Sequence, residues 1–427
     1  MNHAAEHASP PTPGQAAAMR FILLVVLIDM LAVGIIVPVL PALVGQFTAD
    51  PSEQARWYGV VAVTYALSQF LAAPLLGALS DRYGRRPLLL LGFSGIAINL
   101  FTTALASAIW MLVASRVIGG AMQANAAVAN AYVADITPPA DRARRFGMLG
   151  AMFGIGFILG PVLGGVLGGI DLRLPFFVAG GLALANLAYG WFVLPESLPP
   201  SQRRPVDWRR INPISSFKQL VALKGVGLLV GVLAFAGLAQ FSLYTVWVLY
   251  GSLRFGWGPT ENGWSLFAVG VVSAVVQGAL LGRLLKRFTA QRLAVAGLVS
   301  SSLAFVGWGL ATQPWMVYAV IAANVLGAAV AASLQGLVSA AADARTQGQT
   351  LGAVSSLNSL AAVVAPAIAA PLMATVSHLP RTDWRIGAPM FFCAALQTLA
   401  LMLALVHFHR QARKPAVSPS NPLSAPH

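Results

Sequence analysis

The sequence predicts an all-α integral membrane protein, with twelve transmembrane helices arranged as two six-helix halves. Three observations predict it. Of the 427 residues, 57% are hydrophobic and only 9% charged, with a mean hydropathy of +0.74, a balance foreign to soluble globular chains of this length. The apolar residues gather in twelve runs of about 20, the length that crosses roughly 30 Å of hydrocarbon. One long basic connection then divides six runs from six.

In chain order, residues 1–20 are polar and rich in Pro and Ala, unlike the short basic start of a signal peptide, and read as a cytoplasmic N-terminal segment. The spans are expected near 21–44, 57–79, 88–106, 109–134, 146–168, 175–194, 226–250, 263–281, 293–311, 314–341, 350–376 and 388–408. Helices are required, because backbone groups facing lipid must pair within the segment and the runs lack the alternation of barrel strands. Residues 21–194 thus form an N-terminal half, 195–225 a cytoplasmic linker with several prolines and six basic residues, and 226–409 a C-terminal half. Residues 410–427 read as a disordered cytoplasmic tail, with four prolines and three serines from Lys414 onward.

A formal charge of +14 would suggest nucleic acid in a soluble protein, but topology accounts for it here. With the N-terminus inside, 21 of the 27 Lys and Arg residues fall in cytoplasmic segments. Only Arg56, Arg173, Arg254, Arg381 and Arg385 face outside, and Arg116 lies within a span. That asymmetry orients the chain by the positive-inside rule, with both termini cytoplasmic. The single Cys393 lies in an apolar run, so there is no disulfide framework.

The shortest connection is also the most charged. Gly77 to Pro87 joins spans 2 and 3 and holds Asp81, Arg82, Arg85 and Arg86, which cost roughly 2.5–3.5 kcal/mol each in hydrocarbon and so fix the turn in water. One reading is a purely topogenic loop. The spacing Gly-x-x-x-Asp-Arg-x-Gly-Arg-Arg supports a second, in which Gly77 admits a close backbone, Gly84 supplies a positive φ, and Asp81 beside three arginines forms a charge latch. This pattern resembles the loop between helices 2 and 3 of the major facilitator superfamily of secondary transporters. A weak internal repeat agrees: Gly278, Arg283, Lys286 and Arg287 follow Gly77, Arg82, Arg85 and Arg86 by 201 residues, and Asp141 to Gly150 is echoed from Asp343 to Gly352.

In span 5, Gly156, Gly160 and Gly164 recur every four residues beside Pro161 and Gly165. Such spacing lets helices meet backbone to backbone, and Pro161 removes one helical hydrogen bond. Gly-Pro-x-x-Gly-Gly also resembles the antiporter signature of drug/proton exporters in the superfamily. Arg116, followed by Gly120, is the one basic residue inside a span, and its two readings are a functional charge or a side chain snorkelling from ~10 Å depth. Asp29 is the only carboxylate well inside a span, ~12 Å from the inner face and ~8 Å from the level of Arg116, so direct pairing needs helix tilt or a water. Away from water the neutral carboxyl is favoured, which makes Asp29 a candidate proton carrier; a neutral Asp bonded to a neighbouring helix is the other reading.

Further polar side chains mark faces that could line a cavity: Tyr65, Gln69, Gln123 and Asn130 in the first half, and Gln240, Tyr244, Trp247, Gln277, Asn324, Gln335 and Asn358 in the second. Singly each fits interhelical hydrogen bonding; together they fit a mixed polar and aromatic pocket for an amphipathic molecule.

The stretches DMLAVGIIVPVLPAL, GALSDRYGRRPLLLL, AYVADITPPADRARRFG, GPVLGGVLGG, TVWVLYGSLRFGW and LQGLVSAAADARTQGQTLGAV narrow the resemblance to the tetracycline/proton antiporters, over most of the chain. The resemblance implies a major facilitator fold in a bacterial-type inner membrane, monomeric, exchanging a drug for a proton, with the drug arriving as a divalent-metal chelate and no resident cofactor. It makes Asp29 the helix 1 carboxylate and assigns a conformational switch to Gly77, Asp81, Arg82, Gly84, Arg85, Arg86 and Asp135. Arg116 becomes the helix 4 arginine and Gln277 a helix 8 polar site. The chain departs from that pattern at Asn99, Ser273 and Ser301, where the exporters carry titratable groups in helices 3, 8 and 9.

Other classes fit less well. His3, His7, His378, His407, His409 and His427 all lie at termini, loops or span ends, which leaves an intramembrane enzyme without its bases or metal ligands. No Gly-Lys pair supplies the phosphate loop of an ATP-driven pump. An exporter of other drugs or metabolites, a passive facilitator and a transporter-like sensor remain as alternatives.

Overall fold

The structure is a computed structural model and describes residues 13–123, 125–138, 141–205, 227–341 and 347–413. The first twelve residues, most of the linker and the tail from Lys414 lie outside the described residues. The first half contains α1 (Pro13–Ile36), α2 (Leu40–Gly45), α3 (Pro51–Tyr83), α4 (Arg85–Ala104), α5 (Ile109–Gln123), α6 (Asn125–Ile136), α7 (Arg142–Ile170) and α8 (Leu174–Val193). The second contains α9 (Gly227–Phe255), α10 (Pro259–Val275), α11 (Leu281–Arg287), α12 (Ala290–Leu310), α13 (Pro314–Ala323), α14 (Val330–Ala341), α15 (Gln347–Val376) and α16 (Ala388–Ala412).

Among the described residues nine helices are long and apolar enough to cross a membrane, and a tenth span is the pair Pro314–Ala323 and Gly327–Ser339, bent by 52°. The first and fourth expected spans are also helical, but Ile22–Ile36 is short by the same measure and α5 and α6 flank residue 124.

Local chemistry sets the ends and breaks. Helix α3 starts where the Asp50 side chain accepts from the backbone N–H of Ser52 and Glu53 at 2.8 and 2.9 Å, with Pro51 in the first turn where its missing N–H costs nothing. It stops at Gly84, whose φ of 105° only glycine adopts without strain, and α4 begins at the next residue. The tenth span was expected to be continuous and is not. Asn324 leaves the helical region at φ −83° and ψ 36°, its side-chain Oδ1 accepts from Ser300 at 2.9 Å, and Gly327 follows, so local bonding and low helix propensity coincide. A π-helical turn, Val276–Leu280, interrupts the eighth span opposite this break.

Among the described residues the halves pack together mainly toward one end. One apolar cluster joins residues of both halves, from Ala32 to Ala183 and from Ala239 to Ala394, and lies toward the end that carries Pro51, Ile170 and Val376. Toward the opposite end, which carries the basic loops, the core splits into one cluster per half, around Leu89 and Tyr132 and around Leu298 and Leu334. Helix α7 contacts α10 across the halves, and α3 contacts α15. Lipid is as apolar as these side chains, so the contacts rely on close packing rather than on the hydrophobic effect.

Candidate functional site

The turn from Gly77 to Pro87 folds onto the start of the linker. Arg85, 9% exposed, holds Asp81 at 2.6 Å, Asp135 at 3.1 Å and the Ser80 hydroxyl at 2.6 Å. Asp81 therefore pairs with one arginine of the three. Arg82 stands 5.1 Å from the Tyr83 ring, and Arg86 donates to the Trp191 carbonyl at 2.7 Å. Glu196 completes the cluster: its carboxylate accepts from the backbone N–H groups of Arg85, Arg86 and Leu198 at 2.8, 3.3 and 3.0 Å. A carboxylate over the first turn of α4 meets unpaired N–H groups and the positive end of the helix dipole. Ser197 donates to Asp135 at 3.2 Å, Tyr132 to the Pro195 carbonyl at 3.1 Å, and the Arg204 N–H to the Asp81 carbonyl at 3.1 Å. All these groups belong to the first half and its trailing loop. Sequence reasoning placed Glu196 merely in the linker, and its only signal was an acid immediately after Pro195.

The span 5 pattern sorts onto two neighbours. An ideal Cβ on Gly160 would lie 2.6 Å from the Gly34 Cα, and one on Gly164 2.0 Å from the Ile35 carbonyl oxygen, so α1 and α7 touch through backbone. Gly156 faces Met30 of α1 in the same way. Gly165 instead faces α10, where the Thr260 hydroxyl donates to its carbonyl at 3.1 Å, and Pro161 sets its ring against Gly34 of α1 and its carbonyl oxygen against Gly263 of α10. This contact and the approach of Gly59 to Ala370 seal one end. At the basic end a Cβ on Gly77, Gly147, Gly150, Gly154, Gly278, Gly282, Gly336 or Gly352 would meet nothing within 4 Å.

Within the first half, Arg116 is 5% exposed and donates to the Thr103 hydroxyl at 2.8 Å, with the Tyr65 ring 5.8 Å away and Nε unpartnered. No ion pair joins it to Asp29. Asp29 is half-buried and accepts from Asn186 Nδ2 at 3.5 Å; the same Asn186 donates to the Val25 carbonyl at 3.3 Å. Asn186, 1% exposed on α8, escaped the sequence reading as one amide in an apolar run. Gln69 and Gln123 are half-buried and Asn130 exposed, and neither these three nor Tyr65 lines the second-half cavity.

The second half is different. Gln240, Tyr244, Trp247, Gln277, Asn324, Gln335 and Asn358 all surround one cavity of about 410 Å³, within the usual range for ligand sites. Ser273, Ser301, Phe241, Phe305, Trp308 and Gln397 also line it. Gln397 went unnoticed in sequence as the lone amide of the twelfth span. Trp247 donates its indole N–H to Ser265 at 2.9 Å and sets its ring edge-on to Trp308, with centroids 5.1 Å apart. The π-turn carries Gln277 and the broken span carries Asn324, so both helix interruptions border the cavity. No three His, Cys, Asp or Glu residues gather as a metal site among the described residues.

Comparison with known proteins agrees with this architecture. The family model described as Major Facilitator Superfamily matches residues 22–366 and 229–424. The chain is 38% identical to the class C tetracycline resistance protein of Escherichia coli over 375 residues, 88% of this chain and 94% of that one. It is 35% identical to the class D protein of Salmonella ordonez, over 86% and 93% of the two chains. A crystal structure of a bacterial homologue of the human lysosomal transporter Spinster superposes with a TM-score of 0.75 at 15% identity, covering 94% of this chain and 98% of that one. The chain therefore belongs to the major facilitator superfamily of multi-pass membrane transporters, and within it resembles the tetracycline resistance proteins.

Proposed function

We propose that the protein is a proton-coupled exporter that carries a small amphipathic compound outward by alternating access, with a tetracycline-type antibiotic as the leading candidate. The observation that carries this reading is a ligand-sized cavity, lined by amides and rings, in a bundle shut at one end and parted at the end that bears the basic loops. The bias of Lys and Arg makes that end cytoplasmic, so the cavity is loaded from inside a bacterial inner membrane. Asp29 is the proton carrier in this scheme. The cluster of Asp81, Arg85, Asp135 and Glu196 acts on the equilibrium between the two open states, Arg116 balances charge within the first half, and the proton gradient supplies the energy without a resident cofactor. A monomer suffices, since each chain holds both halves.

Everted membrane vesicles test it. Tetracycline should accumulate when respiration acidifies the lumen and leak away when nigericin collapses the pH difference. Uptake that only equilibrates and is unchanged by the collapse would favour a passive facilitator. An exporter of other compounds is the second reading, favoured by the lack of any charged side chain around the cavity among the described residues; resistance to other drugs without resistance to tetracycline would select it.

A further inference from the structure

We propose that the cavity of the second half binds its ligand metal-free and without net charge, as a ring compound bearing several keto, hydroxyl or amide groups. The inference rests on reading that cavity as the transport site.

Among the described residues the lining carries six carboxamides, Gln240, Gln277, Asn324, Gln335, Asn358 and Gln397, and no Asp, Glu, Lys, Arg or His. Each carboxamide offers two N–H donors and a carbonyl acceptor without net charge, which matches alternating keto and hydroxyl groups on a ring edge. Asn324 already spends its Oδ1 on Ser300 and so presents its amide donors. Trp247 already spends its indole N–H on Ser265 and so presents only an apolar ring. The cavity therefore separates into hydrogen-bonding amides and stacking surfaces.

A charged ligand would lose hydration here with no counter-charge to replace it. A divalent ion carried with the ligand is worse placed, since such ions take carboxylate, carbonyl and water oxygens, and the carboxylates that offset their charge are missing from this lining. Asp29, the carboxylate deep in the first half, bonds to Asn186 and does not line the cavity. Proton and ligand thus occupy separate sites, one in each half, and communicate through the shared conformational equilibrium.

The test is equilibrium binding to the purified full chain in detergent, with tetracycline as probe, in EDTA and in excess Mg²⁺. Binding in EDTA should be at least as tight as in Mg²⁺, and Asn358→Leu should weaken it about five- to tenfold, the loss of one hydrogen bond. Gln277→Glu, which adds a carboxylate with little change of shape, should weaken binding in EDTA and restore part of it in Mg²⁺, so the idea can be judged even if the leucine variant misfolds. Binding that needs Mg²⁺ in the unaltered chain overturns the proposal. If tetracycline binds under neither condition, the substrate reading fails separately, and chloramphenicol against ethidium decides the charge class. Preference for the neutral chloramphenicol supports the proposal, while preference for the ethidium cation, or binding of neither, overturns it.

Discussion

Replacing Gly263 by Ala should push the protein out of the state described here. An ideal Cβ at Gly263 lies 2.4 Å from the Pro161 carbonyl oxygen and 3.1 Å from the Gly165 Cα. Both are backbone atoms, so no side chain can turn aside. Unstrained contacts sit near 3.5–4.0 Å, so α7 and α10 must part by about 1 Å at the sealed end. Forcing one methyl into a close-packed contact costs about 1–3 kcal/mol, which shifts a two-state equilibrium about 5- to 150-fold. Because the cost falls on the closed seam, the basic end should be open less often. The assay is maleimide labelling of a cysteine placed at Gly278, where a Cβ meets nothing within 4 Å; the native Cys393 is buried and adds little background. Labelling in everted vesicles should slow, by that full factor where the open state is the minor one and by less where it is the major one. An unchanged rate in a folded variant would mean that the α7–α10 seam does not hold this state.

Three further predictions concern the switch and the topology. Asp81→Asn should weaken transport while leaving ligand affinity nearly intact, because the cluster biases the conformational equilibrium rather than touching the cavity; unchanged transport would reduce the turn to a topology signal. Glu196→Gln keeps the shape but removes the charge over the first turn of α4, at a cost of about 1 kcal/mol. Hydrogen exchange at Arg85 and Arg86 should quicken about fivefold, and equal protection would contradict the capping role. Reporters fused after Leu79, Pro195 and His409 should read as cytoplasmic and one near Asp50 as external; a cytoplasmic signal at Asp50 would overturn the orientation.

What the sequence disclosed follows from which physics is local. Apolar runs, the positive φ at Gly84 and the four-residue glycine spacing each state a constraint within a few residues, so the helical class and a close-packed face on span 5 were legible in advance, while its partner α1 was not. Polar faces were only half legible. The seven candidates in the second half meet at one cavity, and Tyr65, Gln69, Gln123 and Asn130 lie away from it, although the two sets read alike as amides and aromatics at helical spacing. Which face turns inward depends on how six helices pack, and that is not written in one helix. Glu196 and Asn186 were missed for a related reason: each acts on a group more than 100 residues away. The break at Asn324 could have been suspected from an amide three residues before Gly327, but a polar residue in a span more often bonds a neighbouring helix.

Asp29 is the group on which proton coupling depends, and its replacement can be read in a single experiment. Proteoliposomes containing Asp29→Asn, energised by ΔpH alone, are assayed for uphill transport and, in parallel, for ligand binding. Asparagine keeps the size and hydrogen bonding of Asp29 beside Asn186 but cannot titrate. Accumulation against a gradient should stop, ligand should still bind, and the release of protons on ligand binding in detergent should disappear. Uphill transport by Asp29→Asn under ΔpH would contradict this role and move the proton to another group, with Asp135 and Arg116 the next to be replaced.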